Sequence, residues 1–243
     1  RATGEQALGL VAGFAAVPTL YIADGHHRAA SAARTRQTLG RRATGVAGPA
    51  RSAPRGAEPR AENGYSTDVV SGAERDSFLA VAFPDSQTRI LPYNRVLSSL
   101  AGASSGAFLQ TVSERLPVEP TSQTTPDKGA AAMYTAGSWY RLGLSAGVPV
   151  TGRDPVASLD VSVLQERVLG PILEVVDIRT DPRVQFVGGV RGTAELERLV
   201  DSGQAAVAFS LAAVTVPELL AIADAGAIMP PKSTWFEPKL RDG

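Results

Sequence analysis

Apolar residues fall along the chain in short runs broken by glycine and proline, and the spacing within each run predicts an element. Val17 to Ala23 is a compact β-rich run ended by Gly25, which predicts a buried strand. Arg28 to Arg34 is alanine-rich and predicts a helix directly after it. Phe78 to Phe83 reads as a strand, and the run Arg89 to Arg95 continues into the apolar-spaced Val96 to Leu100. Gly106 to Leu116 predicts a helix, and Ala131 to Thr135 with Trp139 to Leu144 predicts a hairpin around Ala136-Gly137-Ser138. Ser158 to Leu173 has helical spacing with Ser158 placed as a cap. Val184 to Val187 predicts a strand entering Gly188-Gly189, and Thr193 to Asp201 a helix led in by Gly192. A strand over Ala205 to Leu211 and a helix over Val216 to Ala225, with Pro217 in its first turn, complete the series.

This alternation predicts a mixed α/β fold, a mixed or largely parallel sheet with flanking helices. Loops are expected over 120–129 and around 147–155, and a sub-domain boundary near 145–157. The segment 40–64 is rich in Arg, Gly and Pro without apolar periodicity and is expected to be a mobile loop.

Composition narrows the chemistry. With 243 residues and 44% apolar content the chain can bury a core. It has no cysteine, which removes disulfides, thiolate metal sites and a cysteine nucleophile. The 24 basic and 24 acidic residues cancel, which argues against nucleic acid as a partner. Arginines 34, 36, 41, 42, 51, 55 and 60 form a locally basic stretch, but no aromatics interleave for base stacking, so a solvated insertion is the better reading. No run is long enough to span a membrane and no secretion signal opens the chain, so the expected location is cytoplasmic. Walker-type Gly-Lys-Ser/Thr loops, Gly-x-Ser-x-Gly elbows and His-Glu-x-x-His helices do not occur.

The sharpest candidate is Asp24-Gly25-His26-His27-Arg28, which holds both histidines of the chain. A helix N-terminus presents unsatisfied amides and the positive end of the helix dipole, and so receives anions. Gly25 permits close backbone approach, and Arg28 supplies a fork of donors suited to phosphate. His26 and His27 add donors or a proton carrier. Asp24 could orient a histidine or hold Mg²⁺ through oxygen. The plain alternative is a glycine turn carrying exposed side chains; a strand before it and a helix after it favour the anion cradle.

Secondary candidates are weaker. Met229 to Lys239 is a proline-bounded shaped loop, where Lys232 could meet a phosphate as a point charge while Ser233 and Thr234 donate hydroxyls. The alternative is a tail anchored by Trp235 and Phe236. Asn94 and Arg95 follow a proline at a position from which a loop can present ligand contacts. Gly188-Gly189-x-x-Gly192 could form an anion nest, but it is not a dinucleotide fingerprint and reads better as a turn.

The string Tyr21-Ile-Ala-Asp-Gly-His-His-Arg28 resembles the signature of the family known as domain of unknown function 1015, also labelled ParB-like. Ile90-Leu-Pro-Tyr-Asn-Arg95, Asp160-Val-Ser-Val-Leu-Gln165 and the Met229 to Lys239 segment agree with it. Members carry substantial sequence ahead of the turn, so the resemblance implies that 1–243 is one family domain lacking its N-terminal part. It also implies kinship with the ParB and sulfiredoxin fold, whose turn between strand and helix lies over nucleotide phosphates. Sulfiredoxin chemistry is disfavoured, because His26 stands where that turn has cysteine. The activity implied is phosphoryl transfer, as a kinase or a phosphatase, on a small hydroxy metabolite such as serine or phosphoserine. Mg²⁺ and ATP or ADP are the implied cofactors, and a phosphorylated small molecule is the implied partner. The alternatives are a nucleotide-gated ParB-like binding protein and a non-catalytic metabolite-binding module.

Overall fold

Alanine and leucine supply five of the eleven residues of Glu5–Ala15, which forms helix α1, and the alanine-rich segment after Gly25 forms helix α2, His26–Ala43. The computed structural model describes residues 4–43, 76–145 and 154–237. It divides into two units, Arg1–Phe83 and Pro84–Gly243. In the first unit, α2 runs beyond the expected Arg34 and takes in 40–43; the rest of the expected loop, 44–64, lies outside the described residues.

The expected strand Val17 to Ala23 is irregular chain instead, with Leu20 and Ile22 exposed. Phe78 to Phe83 is also irregular and exposed. A β-rich run becomes a strand only when another edge takes its amides and carbonyls. Among the described residues of this unit there is no strand to do so.

The second unit contains all the described strands. β1 (Arg89–Leu91) and β2 (Tyr93–Leu97) flank Pro92, which has no amide to donate to a ladder and separates two strands that pair in different sheets. Helix α3 (Ser105–Ser113) is capped by Ser104, whose hydroxyl accepts from the Ala107 amide at 3.3 Å. β3 (Val118–Pro120) leads through a loop to the hairpin of β4 (Ala130–Thr135) and β5 (Ser138–Gly143). Its turn residues Ala136 and Gly137 both take positive φ, the geometry that matches strand twist in tight hairpins.

Helix α4 is shorter than the spacing predicts. Asp160–Leu164 is α-helical and Gln165–Leu169 widens to π geometry, with the Gly170 amide reaching back to the Gln165 carbonyl at 2.8 Å. Ser158 does not cap it; its hydroxyl donates to the Pro155 carbonyl, and Leu159 occupies the cap position without a side-chain bond. β6 (Val184–Gly188), α5 (Ala194–Asp201), β7 (Val207–Leu211), α6 (Val216–Asp224) and β8 (Trp235–Glu237) follow.

The main sheet has the order β3-β5-β4-β7-β2-β6, and β1 pairs with β8 in a separate two-stranded ribbon. Every described pairing is antiparallel, so the α/β character and the flanking helices hold while the expected parallel component does not. Alternation of strands and helices fixes direction only when each connection returns the chain to the same end of the sheet, and these connections do not.

Both faces are covered. Leu97, Met133, Leu142 and Phe209 face Phe108 and Val112 of α3, the α4 segment and Ile222 of α6. Val96, Ala132, Tyr134 and Val187 pack with Leu196 and Leu199 of α5. Central β4 is therefore buried along its whole length, as its unbroken apolar run requires. Among the described residues no helix is long and apolar enough to cross a membrane.

Candidate functional site

In the first unit, the chain turns at Gly25 with φ +82°, a left-handed conformation that favours glycine. The Gly25 amide donates to the Asp24 carboxylate at 2.7 Å, a local bond that fixes the turn. Ala29 is the first amide to bond back within α2, reaching the Gly25 carbonyl at 3.0 Å. The amides of His26, His27 and Arg28 precede it, and helix geometry offers them no carbonyl inside the helix. The Arg28 side chain is exposed and folds back over the turn, its Nε 3.5 Å and one Nη 3.6 Å from the place a Gly25 Cβ would occupy. Two amide-rich and cationic groups thus converge on one small, solvent-facing patch. Asp24 and Arg28 fall where the sequence puts them, at the entry and in the first turn of the helix. The element before the turn is irregular chain and not the expected strand.

In the second unit the C-terminal loop and the β2–β6 edge build a different arrangement. Asn94 and Arg95 are not loop residues: both lie in β2 and are buried. The strand begins immediately after Pro92, one residue before Asn94, and pairs with β6 and β7 on its two sides. Asn94 Oδ1 accepts from the Leu211 amide at 3.3 Å. Arg95 donates to the Tyr93 carbonyl and, at 3.0 Å, to the Lys232 carbonyl. Its guanidinium lies 5.6 Å from the Phe186 ring centre, and its Nε is buried with no hydrogen-bond partner. Burial pulls the Arg95 pKa down to about 9, so the side chain is still cationic at neutral pH.

The Arg95 bond meets Lys232 where the backbone is left-handed, with φ +51°. The Lys232 ammonium stands 5.5 Å from the centre of the Tyr93 ring. Ser233 is buried and donates to the Pro230 carbonyl at 2.7 Å, so its hydroxyl shapes the loop; Thr234 is half-buried beside it. Trp235 and Phe236 are strand residues and not loop residues: they lie in β8, which pairs with β1. Pro238 and Lys239 lie outside the described residues.

Gly188 and Gly189 are explained by packing. A Cβ on Gly188 would stand 2.8 Å from the Trp235 indole, and one on Gly189 would stand 2.8 Å from Pro92. Tyr93, Phe186, Arg191, Lys232 and Trp235 line a cavity of about 300 Å³ at this edge. Phe186 and Arg191 carry no motif of their own, and the Gly188-Gly189 pair between them is the sequence feature that marks this edge.

Asp160, from the third motif, is buried at the N-terminus of α4. It accepts from the Gly129 amide at 3.0 Å and faces Lys128 at 3.2 Å, while Lys128 also reaches Glu218 at 2.9 Å. Burial pushes the Asp160 carboxyl upward, opposed by the Lys128 charge and the Gly129 amide. For Glu218 burial acts in the same upward sense, but bonds from Thr215 and Lys128 outweigh it and hold the carboxyl below its usual range.

The profile of the family described as protein of unknown function, DUF1015, matches residues 3–162. The chain belongs to this family. The matched span of the DUF1015 profile includes the Asp24–Arg28 turn and the Ile90 to Arg95 segment and ends inside α4; the Met229 to Lys239 segment lies beyond it. No curated protein matches the sequence. Among solved structures, a free serine kinase in complex with AMP is similar at 12% identity, with 61% of this chain and 54% of that chain covered and a TM-score of 0.38. A conserved hypothetical protein from Pyrococcus furiosus is similar at 13% identity, with 64% and 59% covered and a TM-score of 0.39. The chain thus spans 54% and 59% of the length of those two structures.

Proposed function

We propose that the Asp24–Arg28 turn grips a phosphate group and that the chain belongs to a phosphoryl-transfer enzyme, a kinase or a phosphatase, acting on a small hydroxy metabolite such as serine or phosphoserine. The observation that carries this reading is the left-handed Gly25 opening the 18-residue helix α2 with the Arg28 guanidinium folded over it. Phosphoryl transfer asks a protein mainly to position the group and to stabilise charge on its oxygens, and amides plus a guanidinium do both. In this reading the amides of His26 to Arg28 hold the equatorial oxygens, Arg28 adds a bidentate contact, and His26 or His27 moves the proton of the hydroxyl.

Mg²⁺ takes one or two carboxylates and fills its remaining positions with phosphate oxygens and water, and Asp24 is the carboxylate at the turn. Such an ion, when bound, neutralises charge on the transferred group. A nucleotide such as ATP or ADP supplies phosphate oxygens of that kind, so Mg²⁺ and the nucleotide belong to one proposal. Kinship with the ParB fold and a cytoplasmic location belong to the same proposal.

Thermal unfolding of the full-length protein with Mg²⁺ and ATP, ADP, CTP or phosphoserine tests it, with product followed by phosphorus NMR. The expected result is stabilisation by a phosphorylated ligand, turnover of serine or phosphoserine, and loss of both in Arg28→Ala. A charge-assisted contact of this kind contributes about 1.5–3 kcal/mol, so the variant should bind at least roughly tenfold more weakly. An Arg28→Ala protein that responds like the unaltered one removes the turn from consideration. Stabilisation by CTP coupled to DNA, without turnover, favours the ParB-like binding protein instead.

A further inference from the structure

We infer that the cavity at the β2–β6 edge of the second unit is a binding site for a small molecule made of a flat aromatic ring and an anionic group. The turn at Gly25 plays no part in this inference, since every residue used lies within Pro84–Gly243.

The fold holds Lys232 in place at a cost. A non-glycine residue at φ +51° is strained, and strain of this kind persists only where surrounding contacts impose it. The contact that imposes it comes from Arg95, a fully buried guanidinium whose Nη2 donates to the Lys232 carbonyl at 3.0 Å while its Nε goes without a partner. Burying an arginine without a carboxylate is costly. The result is an exposed ammonium fixed 5.5 Å from the Tyr93 ring centre at the mouth of a cavity.

The walls of the cavity are aromatic. Tyr93, Phe186 and Trp235 are each half-buried, and Tyr93 meets Trp235 edge to face at 5.4 Å. Trp235 can take this place only because residue 188 is glycine, and its indole N–H is already engaged by Glu237 at 2.5 Å. The polar need of the indole is therefore met away from the cavity, and ring surface is what the cavity offers. At about 300 Å³ the volume lies at the small end of ligand pockets and suits one ring system with a substituent.

The charged side chains lining the cavity are Lys232 and Arg191, both cations, with no acid among them. The carboxylate nearest Arg191 in sequence is Glu195, 3.7 Å away and already accepting from Arg198 at 2.7 and 2.9 Å. Arg191 is thus weakly held and can turn to a ligand. Gln185 adds an amide for the edge of a ring. Aromatic faces bind a planar ring, and two cations without an acid select one that carries negative charge. A nucleoside monophosphate and an aryl carboxylate share this chemistry.

Trp139 and Trp235 are the two tryptophans of the chain; both emit, but only Trp235 lines the cavity, so saturable quenching by a ligand, retained in Trp139→Phe, reports on the cavity. The full chain is titrated with AMP, phenylacetate, adenosine and inorganic phosphate. The expected result is saturable quenching by AMP, by phenylacetate, or by both, which identifies the source of the anion, with far weaker effects of adenosine and phosphate. Lys232→Ala and Arg191→Gln should each raise the Kd roughly tenfold, as loss of a charge-assisted contact does, with an unchanged thermal midpoint for Arg191→Gln. Arg28→Ala should leave the quenching curve unaltered, which separates this site from the turn. Absence of saturable quenching by either anion overturns the inference. Quenching that adenosine reproduces at equal strength, or that Arg28→Ala abolishes while Arg191→Gln does not, overturns it as well.

Discussion

Asp160 shows how much one side chain can depend on its surroundings. It shares the single ammonium of Lys128 with Glu218, and its own side chain is 8% exposed against 38% for the lysine. Half a counter-charge does not offset burial, so its carboxyl is pushed upward. A carboxyl whose folded pKa is raised binds its proton more tightly folded than unfolded. Its contribution to stability is therefore fully present below the unfolded value and is lost as pH rises through the folded one. Asp160→Asn cannot titrate and escapes that loss, while its side-chain oxygen can still accept from Gly129. Urea midpoints at about pH 4, near the ordinary aspartate value, and at about pH 7 should show the Asn variant gaining on the unaltered protein as pH rises. A variant that instead falls further behind at the higher pH would show that the Lys128 pair dominates. The motif around Asp160 is visible in the sequence, but the burial and the shared lysine are not, because Lys128 and Glu218 come from distant segments.

At the scale of the element, local chemistry was legible and pairing was not. Helix α6 begins where Thr215 and Glu218 satisfy one another: the Thr215 hydroxyl accepts from the Glu218 amide, and the Glu218 carboxylate accepts from the Thr215 amide at 2.8 Å. Pro217 stands in its first turn, as expected from the sequence. Thr215→Ala should cost about 1 kcal/mol, read from the shift in urea midpoint at constant slope. No change would mean that Ile222 packing alone sets the helix. The hairpin β4–β5 was equally legible, since its two-residue turn lies between the strands that it joins. Val17 to Ala23 and Phe78 to Phe83 were not, because a run of β-forming residues says nothing about whether an edge is available to it. The same limit explains the antiparallel sheet, the β1–β8 ribbon and the strand placement of Asn94 and Arg95. Within the candidate sites, Asp24 to Arg28 could be read directly because they are contiguous. The Arg95–Lys232 contact joins residues more than a hundred positions apart, and only the fold brings them together.

Across the described residues the apolar core is divided unequally. The buried apolar side chains described run from Val96 to Phe236, all within Pro84–Gly243. Both clusters that sandwich the main sheet belong to that unit. Among the described residues of Arg1–Phe83 none is buried, and Leu8, Val11, Leu20 and Phe78 are each more than half exposed. Apolar burial is the main favourable term in folding, and a lone helix gains little without it. Pro84–Gly243 produced alone should therefore unfold in a single cooperative urea transition and keep a near-ultraviolet circular dichroism signal from Trp139 and Trp235. A Pro84–Gly243 piece that binds hydrophobic dye and lacks the aromatic signal would be a loosened state, and would mean that its two-faced core does not suffice to fix the packing. The same piece also bears on function, because the aromatic cavity should survive in it with its Lys232 and Arg191 dependence intact, whereas the phosphate grip at Gly25 should be lost with the segment that carries it.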